Sequence, residues 1–430
     1  MAKPIVAPAA EWIKGCLGAI SELELEERLS TLHISWNRIV PAGIIRGLLC
    51  GLWMRARSVA QAIDLSPLTG FQLPTKGTYR FLNQRLLDLR ELLRSFFTSD
   101  TTTVDDAILV DDTPSKRTGF QLPGVSFLYS TSQKARVLGY NLVTLFQYGR
   151  ELSGFLDFEV KISEATPDQA KRRGRPIKEI LRAKRMTRYE LVLDMLDRAR
   201  ALGNRARLLI FDSWYGQSVD FLWEVLCRQF HFITRLKTGR SLWYDGQYQK
   251  VSAIFRKLKK FRRLNDRTKY VAWNSSLLGF GDVRAIFVKF TDKHGGKHKA
   301  VVISDLMDWA PDRILERYLD RARIEQGYKV TKQDLGLSDA HLGSFAGQIN
   351  EMALTFLAYL VASQVRLVAG ATATVAGVLL RARLAWAIWA QVVVLQLLWR
   401  RATKYSPETM IRAGLVQSWI AETMMATAST

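Results

Sequence analysis

The sequence has few cysteines, few acidic residues for its size and no long uncharged stretch. Its three cysteines, Cys16, Cys50 and Cys227, are odd in number and widely spaced, which excludes a disulfide framework or a cysteine-based zinc cluster. The longest uncharged stretch, Leu384–Trp399, has 16 residues, whereas a membrane-spanning helix needs about 20. The N-terminal residues lack the compact apolar run of a signal peptide. We therefore expect a protein of the reducing cytoplasm whose apolar C-terminal stretches form buried helices.

The shortage of acidic residues leaves a large positive charge. The chain has 62 Lys and Arg against 40 Asp and Glu, a net charge of +22, which implies a polyanionic partner such as nucleic acid or an anionic membrane surface. Two clusters hold most of it: 171–207 has a net charge of +9 and 256–269 a net charge of +7. Clusters this dense favour phosphate contact over an ordinary solvated face. The candidate phosphate-contacting residues in them are Arg173, Arg175, Lys259 and Lys260.

The Arg173–Pro176 stretch (RGRP) also matches the core of a minor-groove AT-hook. Four residues in an arginine-rich loop match such a core often by chance, so phosphate contact is the favoured interpretation.

The first 100 residues have a helical pattern. A helix at Arg57–Leu65 followed by one at Gly77–Leu82 resembles a helix-turn-helix, whose second helix would present Thr78, Tyr79, Arg80 and Asn83 to DNA. The linker between them is longer than such motifs usually have, so two simply packed helices are the alternative.

The pattern then changes to strands. Apolar runs at Ala107–Val110 and Arg207–Phe211 predict two buried strands, each ending in an acid, Asp111 (followed by Asp112) and Asp212. The other predicted elements are a hairpin of Asn141–Tyr148 and Leu152–Ile162, helices at Arg188–Leu202 and Ser218–Gln229, and a strand at His231–Arg235. Three strands followed by helix, strand and helix is the order of the ribonuclease-H-like fold, and chemistry in open sheets collects at strand ends.

A mainly β segment interrupts this order. Strands are predicted at Lys269–Trp273, Val283–Phe290 and Lys299–Ser304, before a long helix from Pro311 to about Lys332. The predicted fold class is α/β: a ribonuclease-H-like catalytic core with a mainly β insertion, flanked by N-terminal and C-terminal α-helical regions. The predicted domains are a helical DNA-binding domain (1–100), the core in two parts (101–236 and 306–345), the β insertion (237–305) and a helical C-terminal region suited to dimerisation (346–430).

Four residues near the end of the core carry the chemical signal. Tyr318, Arg321, Glu325 and Lys332 are separated by 3, 4 and 7 residues, which places them on one broad face of a helix. A carboxylate flanked by cations and a phenol suits a metal ligand surrounded by phosphate contacts. Two-metal phosphoryl transfer needs three or four carboxylates, and hard ions such as Mg²⁺ prefer oxygen ligands. An amphipathic helix with one i,i+4 charge pair is the alternative.

This Tyr-x2-Arg-x3-Glu-x6-Lys pattern resembles the signature of the insertion sequence 4 family of cut-and-paste DDE transposases. The flanking stretches ILVDDT, around Asp111, and LLIFDSWYG, around Asp212, agree with it, and the resemblance covers roughly residues 105 to 345. It implies that Asp111, Asp212 and Glu325 hold two Mg²⁺ ions, with Mn²⁺ as a substitute. It also implies that Tyr318, Arg321 and Lys332 bind phosphates of the transposon end. Between Asp111 and its neighbour Asp112, Asp111 is chosen because it directly follows the apolar strand.

The resemblance further implies a DNA hairpin intermediate with a flipped base held by an aromatic side chain of the insertion. Trp273 is the candidate, and Trp243 and Trp309 are its rivals. The expected partners are double-stranded DNA, as terminal inverted repeats and target, and a second copy of the chain in a synaptic complex. A membrane partner is not expected, and the expected location is the bacterial cytoplasm, at the nucleoid. The alternatives are an inactive or inhibitory end-binding protein and a ribonuclease-H-like nuclease without strand transfer.

Overall fold

The computed structural model describes most of the chain. Its described residues are 14–15, 18, 24–31, 41–56, 58–66, 73–84, 87–117, 122–130, 134–162, 180, 182, 185–292, 294–339, 342–369 and 373–402. The chain forms two compact units, Met1–Phe81 with Asp334–Gly336 and Val361–Thr430, and Leu82–Gln333 with Leu337–Leu360. Arg57, Arg173 and Arg175, and with them the predicted AT-hook, lie outside the described residues.

The larger unit contains all twelve described strands. They are β1 (Ala107–Lys116), β2 (Ser126–Ser130), β3 (Ala135–Tyr148), β4 (Ser153–Lys161), β5 (Leu208–Phe211), β6 (His231–Leu236), β7 (Ser241–Tyr244), β8 (Gln247–Lys250), β9 (Arg262–Arg263), β10 (Thr268–Leu277), β11 (Gly281–Thr291) and β12 (Lys297–Ser304). All twelve belong to one mixed sheet.

The described helices are divided between the two units. They are α1 (Leu25–Thr31), α2 (Pro41–Trp53), α3 (Val59–Leu65), α4 (Thr75–Leu82), α5 (Leu89–Arg94), α6 (Arg188–Ala201), α7 (Val219–Cys227), α8 (Val251–Lys257), α9 (Pro311–Leu319), α10 (Ala322–Gln333), α11 (Phe345–Ala369) and α12 (Val375–Ala402).

Five strands form the core in the order β4-β3-β1-β5-β6. β3 is antiparallel to β1 and β4, whereas β1, β5 and β6 are parallel. All four β5 side chains, Leu208–Phe211, are buried, as expected for a parallel strand covered on both faces. The mixed sheet and its strand order confirm the predicted α/β, ribonuclease-H-like class.

The β insertion continues the core sheet. Val301–Ser304 of β12 pair antiparallel with β6, and β11, β10, β7 and β8 follow in order. The β7–β8 hairpin turns at Asp245 (φ 54°) and Gly246 (φ 77°), the two positive φ angles of a tight hairpin turn. The three strands predicted in this segment are present and longer than predicted.

β1 does not end at the acids, so the prediction that Asp111 terminates its strand is wrong. β3 continues to pair with β1 as far as Lys116, whereas the parallel partner β5 pairs only with Ala107–Val110. Asp111 is therefore the first residue of β1 with a free edge on the β5 side.

The prediction of a single helix from Pro311 to about Lys332 is also wrong. The chain forms α9 and α10 with a tight turn at Asp320 and Arg321. The Arg321 amide donates to the Tyr318 carbonyl at 3.2 Å and the Ile324 amide to the Arg321 carbonyl at 3.3 Å. These i→i+3 bonds tighten the backbone as in a 3₁₀ turn, so the four signature residues occupy two helices and the turn between them.

The smaller unit is helical in its described part. Trp53 of α2 contacts Trp386 of α12 edge to face, with ring centroids 6.4 Å apart, and the Arg383 guanidinium pairs with the Asp334 carboxylate at 3.0 Å. Among the described residues, one helix, Phe345–Leu367, is long and apolar enough to cross a membrane, and 89% of its apolar window is buried inside the protein, as in a core helix.

Candidate active site

The strand register brings two of the predicted acids together. Val110 of β1 pairs with Phe211 of β5 in the parallel ladder, so Asp111 and Asp212 are the next residues of two adjacent strands. The Asp212 carboxylate accepts a 2.8 Å hydrogen bond from the Trp214 amide, which fixes its position at the start of the following turn. Two carboxylates at the carboxyl edge of a parallel pair form the centre of the candidate site.

Arg321 links this centre to the third predicted acid. Its guanidinium donates to the Asp111 carboxylate at 3.3 Å and forms a second, short ion pair with the Glu325 carboxylate. The side chain of Asp111 is 17% exposed and that of Glu325 53%. The turn before α10 therefore places a cation between the sheet carboxylate and the helix carboxylate.

Further contacts hold α10 against β1 and β3. The Lys332 ammonium donates to the Thr113 hydroxyl at 2.6 Å, and the Tyr328 and Thr144 hydroxyls form a short hydrogen bond. Asp111 and Thr113 share one face of β1 because side chains alternate along a strand. Arg321 and Lys332 thus contact the same face of β1, through Asp111 and Thr113.

Asp112 faces the other side of the sheet. Its carboxylate lies 3.5 Å from the guanidinium of Arg188 on α6, and Arg188 also stacks 4.7 Å above the ring of Trp214. The Tyr215 hydroxyl is fully buried with no hydrogen-bond partner among the described residues, and burial and the Asp112 charge raise its pKa. The two acids of the doublet therefore have different partners, and Asp111 is the one on the side of Glu325.

The electrostatics of the centre follow from burial. Burial raises the pKa of Asp111 to about 7; Arg321 opposes this rise, and the neighbouring Asp112 and Asp212 carboxylates add to it. Burial likewise lowers the pKa of Lys332 to about 8, against the opposing effect of Asp111. The site thus concentrates more negative charge than Arg321 neutralises.

This excess suits a hard divalent cation, because every candidate ligand is a carboxylate oxygen. In the described part of the chain, no three Asp, Glu, His or Cys side chains are close enough together to hold a metal ion. Asp111 and Asp212 can contribute to one centre as they stand. Glu325 contacts Asp111 only through Arg321, so it joins that centre only when Arg321 leaves the carboxylates.

Tyr318 borders a groove that the sequence did not predict. Burial raises the pKa of Tyr318 to about 12, with Arg321 and Arg235 opposing the rise. The groove has a volume of about 540 Å³, and its walls come from the β insertion and α9, including Val288, Phe290 and Leu319. Arg235 and Arg267 also line it, so a mostly apolar groove with two cations lies next to the signature residues.

The predicted helix-turn-helix is correct in part. Helices are present at Val59–Leu65 and Thr75–Leu82, and Arg80 is exposed as predicted. Thr78, however, is fully buried, so the prediction that it faces DNA is wrong, because the apolar face of α4 includes it. DNA contact by Arg80 stays a prediction.

The three tryptophan candidates differ in exposure. Trp273 stacks on Phe287, with centroids 4.9 Å apart and planes at 10°, so one face of its ring is covered. The Arg313 guanidinium lies 3.7 Å above the ring of Trp309, whereas Trp243 is 46% exposed. Base stacking by Trp273 stays a prediction, and Trp243 offers the more accessible ring.

The second basic cluster lies on the surface. Lys259 and Lys260 are exposed between α8 and β9, and their phosphate contact stays a prediction. Sequence reasoning missed Arg188 as the partner of Asp112 and Arg235 as a neighbour of Tyr318. The basic run at 171–207 contains Arg188, but its link to Asp112 depends on the packing of α6 against the sheet.

One comparison with known proteins found a family. The family model described as "DDE superfamily endonuclease" matches residues 47–258, about half of the chain. The matched region includes Asp111 and Asp212 and ends before Glu325. No curated protein matches the chain. The match supports a metal-dependent nuclease or transposase of the DDE type that acts on DNA.

Proposed function

We propose that the protein is a DNA transposase of the insertion sequence 4 type, which cuts transposon ends and joins them to target DNA. The observation that carries the proposal is the position of Asp111 and Asp212 in register, with Arg321 joining Asp111 to Glu325. Carboxylates from two strands and one helix around a buried negative centre suit phosphoryl transfer with divalent ions. The match to DDE endonucleases supports the same chemistry.

Asp111, Asp212 and Glu325 would hold two Mg²⁺ ions, or Mn²⁺ in their place. When bound, the ions supply charge stabilisation at the reacting phosphate and activation of the attacking hydroxyl. Arg321 has a second role in this proposal, because the metal charge would replace it between Asp111 and Glu325. The freed guanidinium, with Tyr318 and Lys332, would then bind the phosphates that flank the scissile bond.

The partners would be the terminal inverted repeats, the target DNA and a second copy of the chain, in the cytoplasm of the cell. The C-terminal helices after residue 345 are the proposed dimerisation region. A hairpin intermediate would need an exposed aromatic ring for the flipped base. Trp273 and Trp243 are the candidates, and their different exposures let single substitutions separate them.

The test uses a supercoiled plasmid that carries the DNA flanking both sides of the gene. Wild-type protein with Mg²⁺ should release the flanked segment and join it to a second plasmid. The variants Asp212→Asn and Glu325→Gln should still bind the DNA but should not cut it. Glu316→Gln is the matched control, since Glu316 is an exposed glutamate of α9.

Each alternative has its own result. Cutting without joining would identify a ribonuclease-H-like nuclease, and binding without cutting by the wild type would identify an inhibitory end-binding protein. Retained cutting by Glu325→Gln would refute the assignment of the third acid.

A further inference from the structure

We propose that a row of four basic side chains across the β insertion is a binding surface for the phosphate backbone of duplex DNA. The proposal rests on the proposed function, which makes DNA the substrate, and it names a contact surface separate from the catalytic acids. The row consists of Arg263, Lys269, Lys289 and Lys299.

The row is created by the sheet register. Lys269 of β10 pairs directly with Arg263 of β9 on one side and with Lys289 of β11 on the other, and Lys289 pairs directly with Lys299 of β12. Directly paired residues project from the same face of a sheet. Three consecutive pairs therefore place four cations in a line across four strands.

The opposite face of the same strands is apolar. Tyr270, Val288 and Ala300, each adjacent in sequence to a lysine of the row, are all buried. Lys269 and Lys299 are exposed and Lys289 is half-buried. The row thus faces outward, while the buried side chains of the opposite face pack the same strands into the protein.

A row of like charges opposes folding. Like charges directly opposite one another in a sheet destabilise it. Arg263 pairs with Asp266, whereas the three lysines form no ion pair within the described residues. Proteins break such a local rule mainly where function requires it, and three neighbouring lysines without an ion pair suit an anionic partner.

The dimensions fit a nucleic-acid backbone. Neighbouring strands are about 4.8 Å apart, so the row is about 14 Å long. Phosphates of one DNA strand recur about every 3.4 Å along the duplex axis and rotate around it as they do, so a straight row of this length can face roughly two or three of them. The row is thus long enough for more than one of its cations to meet a phosphate of the same duplex.

The neighbouring aromatic rings favour a duplex over a single strand. Single-stranded binders expose aromatic rings on which bases stack. Here the Lys289 ammonium lies 3.8 Å above the ring of Phe261, and the Lys299 ammonium lies 5.9 Å from the ring of Phe255. Phe255 is itself buried. Both rings support cations instead of facing bases.

The test compares Lys289→Gln/Lys299→Gln with a control that removes the same charge, Arg136→Gln/Arg150→Gln. Arg136 and Arg150 are exposed and lie outside both basic clusters. Arg136 is near the start of β3 and Arg150 follows its end, and β3 contributes no residue to the row. Binding of the full-length protein to a random-sequence DNA duplex is measured over a range of NaCl concentrations. The slope of log K against log salt is negative, and each lost phosphate contact should reduce its magnitude by about 0.9. The magnitude should therefore fall by about 2 in the lysine variant and stay unchanged in the control.

A second measurement separates binding from folding. The lysine variant should melt at the same temperature as the wild type or higher, because neutralisation relieves the like-charge pairs. If the wild type binds and cuts DNA and the lysine variant has the same salt slope as the wild type, this surface alone is overturned. If the wild type neither binds nor cuts DNA, the proposed function is overturned. The proposed surface would also be overturned if the lysine substitutions weakened binding to single-stranded DNA or to an RNA duplex more than binding to a DNA duplex.

Discussion

Replacing Asp111 by Asn should stabilise the metal-free protein, relative to the wild type, more at alkaline pH than at acid pH. Burial and two neighbouring carboxylates raise the pKa of Asp111 from 3.8 to about 7. The folded protein therefore holds this proton more tightly than the unfolded chain. Between these two pKa values the wild type loses stability as the pH rises, and Asp111→Asn removes the ionisation that causes the loss.

The expected magnitude follows from the shift. At pH 5 the unfolded carboxyl is already ionised while the folded one is still protonated, and at pH 8 both are ionised. About two pH units of this window lie between pH 5 and pH 7, and each contributes about 1.4 kcal/mol. The difference in the free energy of unfolding, variant minus wild type, should therefore be about 3 kcal/mol larger at pH 8 than at pH 5.

Urea unfolding at the two pH values in the presence of a chelator measures this difference. Asp105→Asn is the matched control, because Asp105 is an exposed aspartate one residue before the start of the same buried region. Added Mg²⁺ at pH 8 should stabilise the wild type and leave Asp111→Asn nearly unchanged. A variant-minus-wild-type difference that is the same at both pH values would refute the account of a buried, uncompensated carboxylate.

Three further predictions concern charge and packing. Lys332 loses its charge as the pH rises through about 8, so wild-type affinity for duplex DNA, measured by fluorescence anisotropy, should fall between pH 7 and pH 9, while Lys332→Arg keeps its affinity. Asp157 is fully buried between two arginines, so Asp157→Ala should lower the free energy of urea unfolding by about 3–5 kcal/mol, against less than about 1 kcal/mol for Asp197→Ala at an exposed pair. A Cβ at Gly139 would lie 2.2 Å from a backbone oxygen of the paired strand, whereas Gly239 has nothing within 4 Å; Gly139→Ala should therefore melt at a clearly lower temperature and Gly239→Ala should not.

The strands that precede Asp111 and Asp212 could be predicted because their signal is local. Ala107–Val110 and Leu208–Phe211 are apolar throughout, as central strands of a covered sheet must be. The end of β1 could not be predicted in the same way. It depends on the long strand β3, which continues to pair with β1 beyond the acids, and that pairing joins residues far apart in the sequence.

The signature residues show a similar limit. Their spacing indicated one face of a single helix. In the structure Arg321 lies in the turn before α10, and α10 holds only Glu325 and Lys332, with Lys332 contacting Thr113 of β1. The turn at Asp320 was missed because the sequence contains no Pro or Gly there to mark it. The partner of Asp112, Arg188, was missed because only the packing of α6 brings the two together.

The lysine row was the least visible feature in the sequence. Its members lie on four strands, and Lys269, Lys289 and Lys299 are separated by 20 and 10 residues. Their alignment requires the exact hairpin lengths that set the register. The sequence showed only a basic cluster around residue 260, without the line of charges that the sheet makes from it.

The short pairing of β1 with β5 also has a genetic consequence. Only four residues of β5 set the position of Asp212 relative to Asp111, and a slip of one residue turns a side chain to the other face of a sheet. Loss of a single codon in this strand could therefore leave a folded protein whose second acid faces the wrong way. If the protein is a transposase, such a product would still occupy the DNA ends, and one small deletion would turn the enzyme into a competitor of its parent.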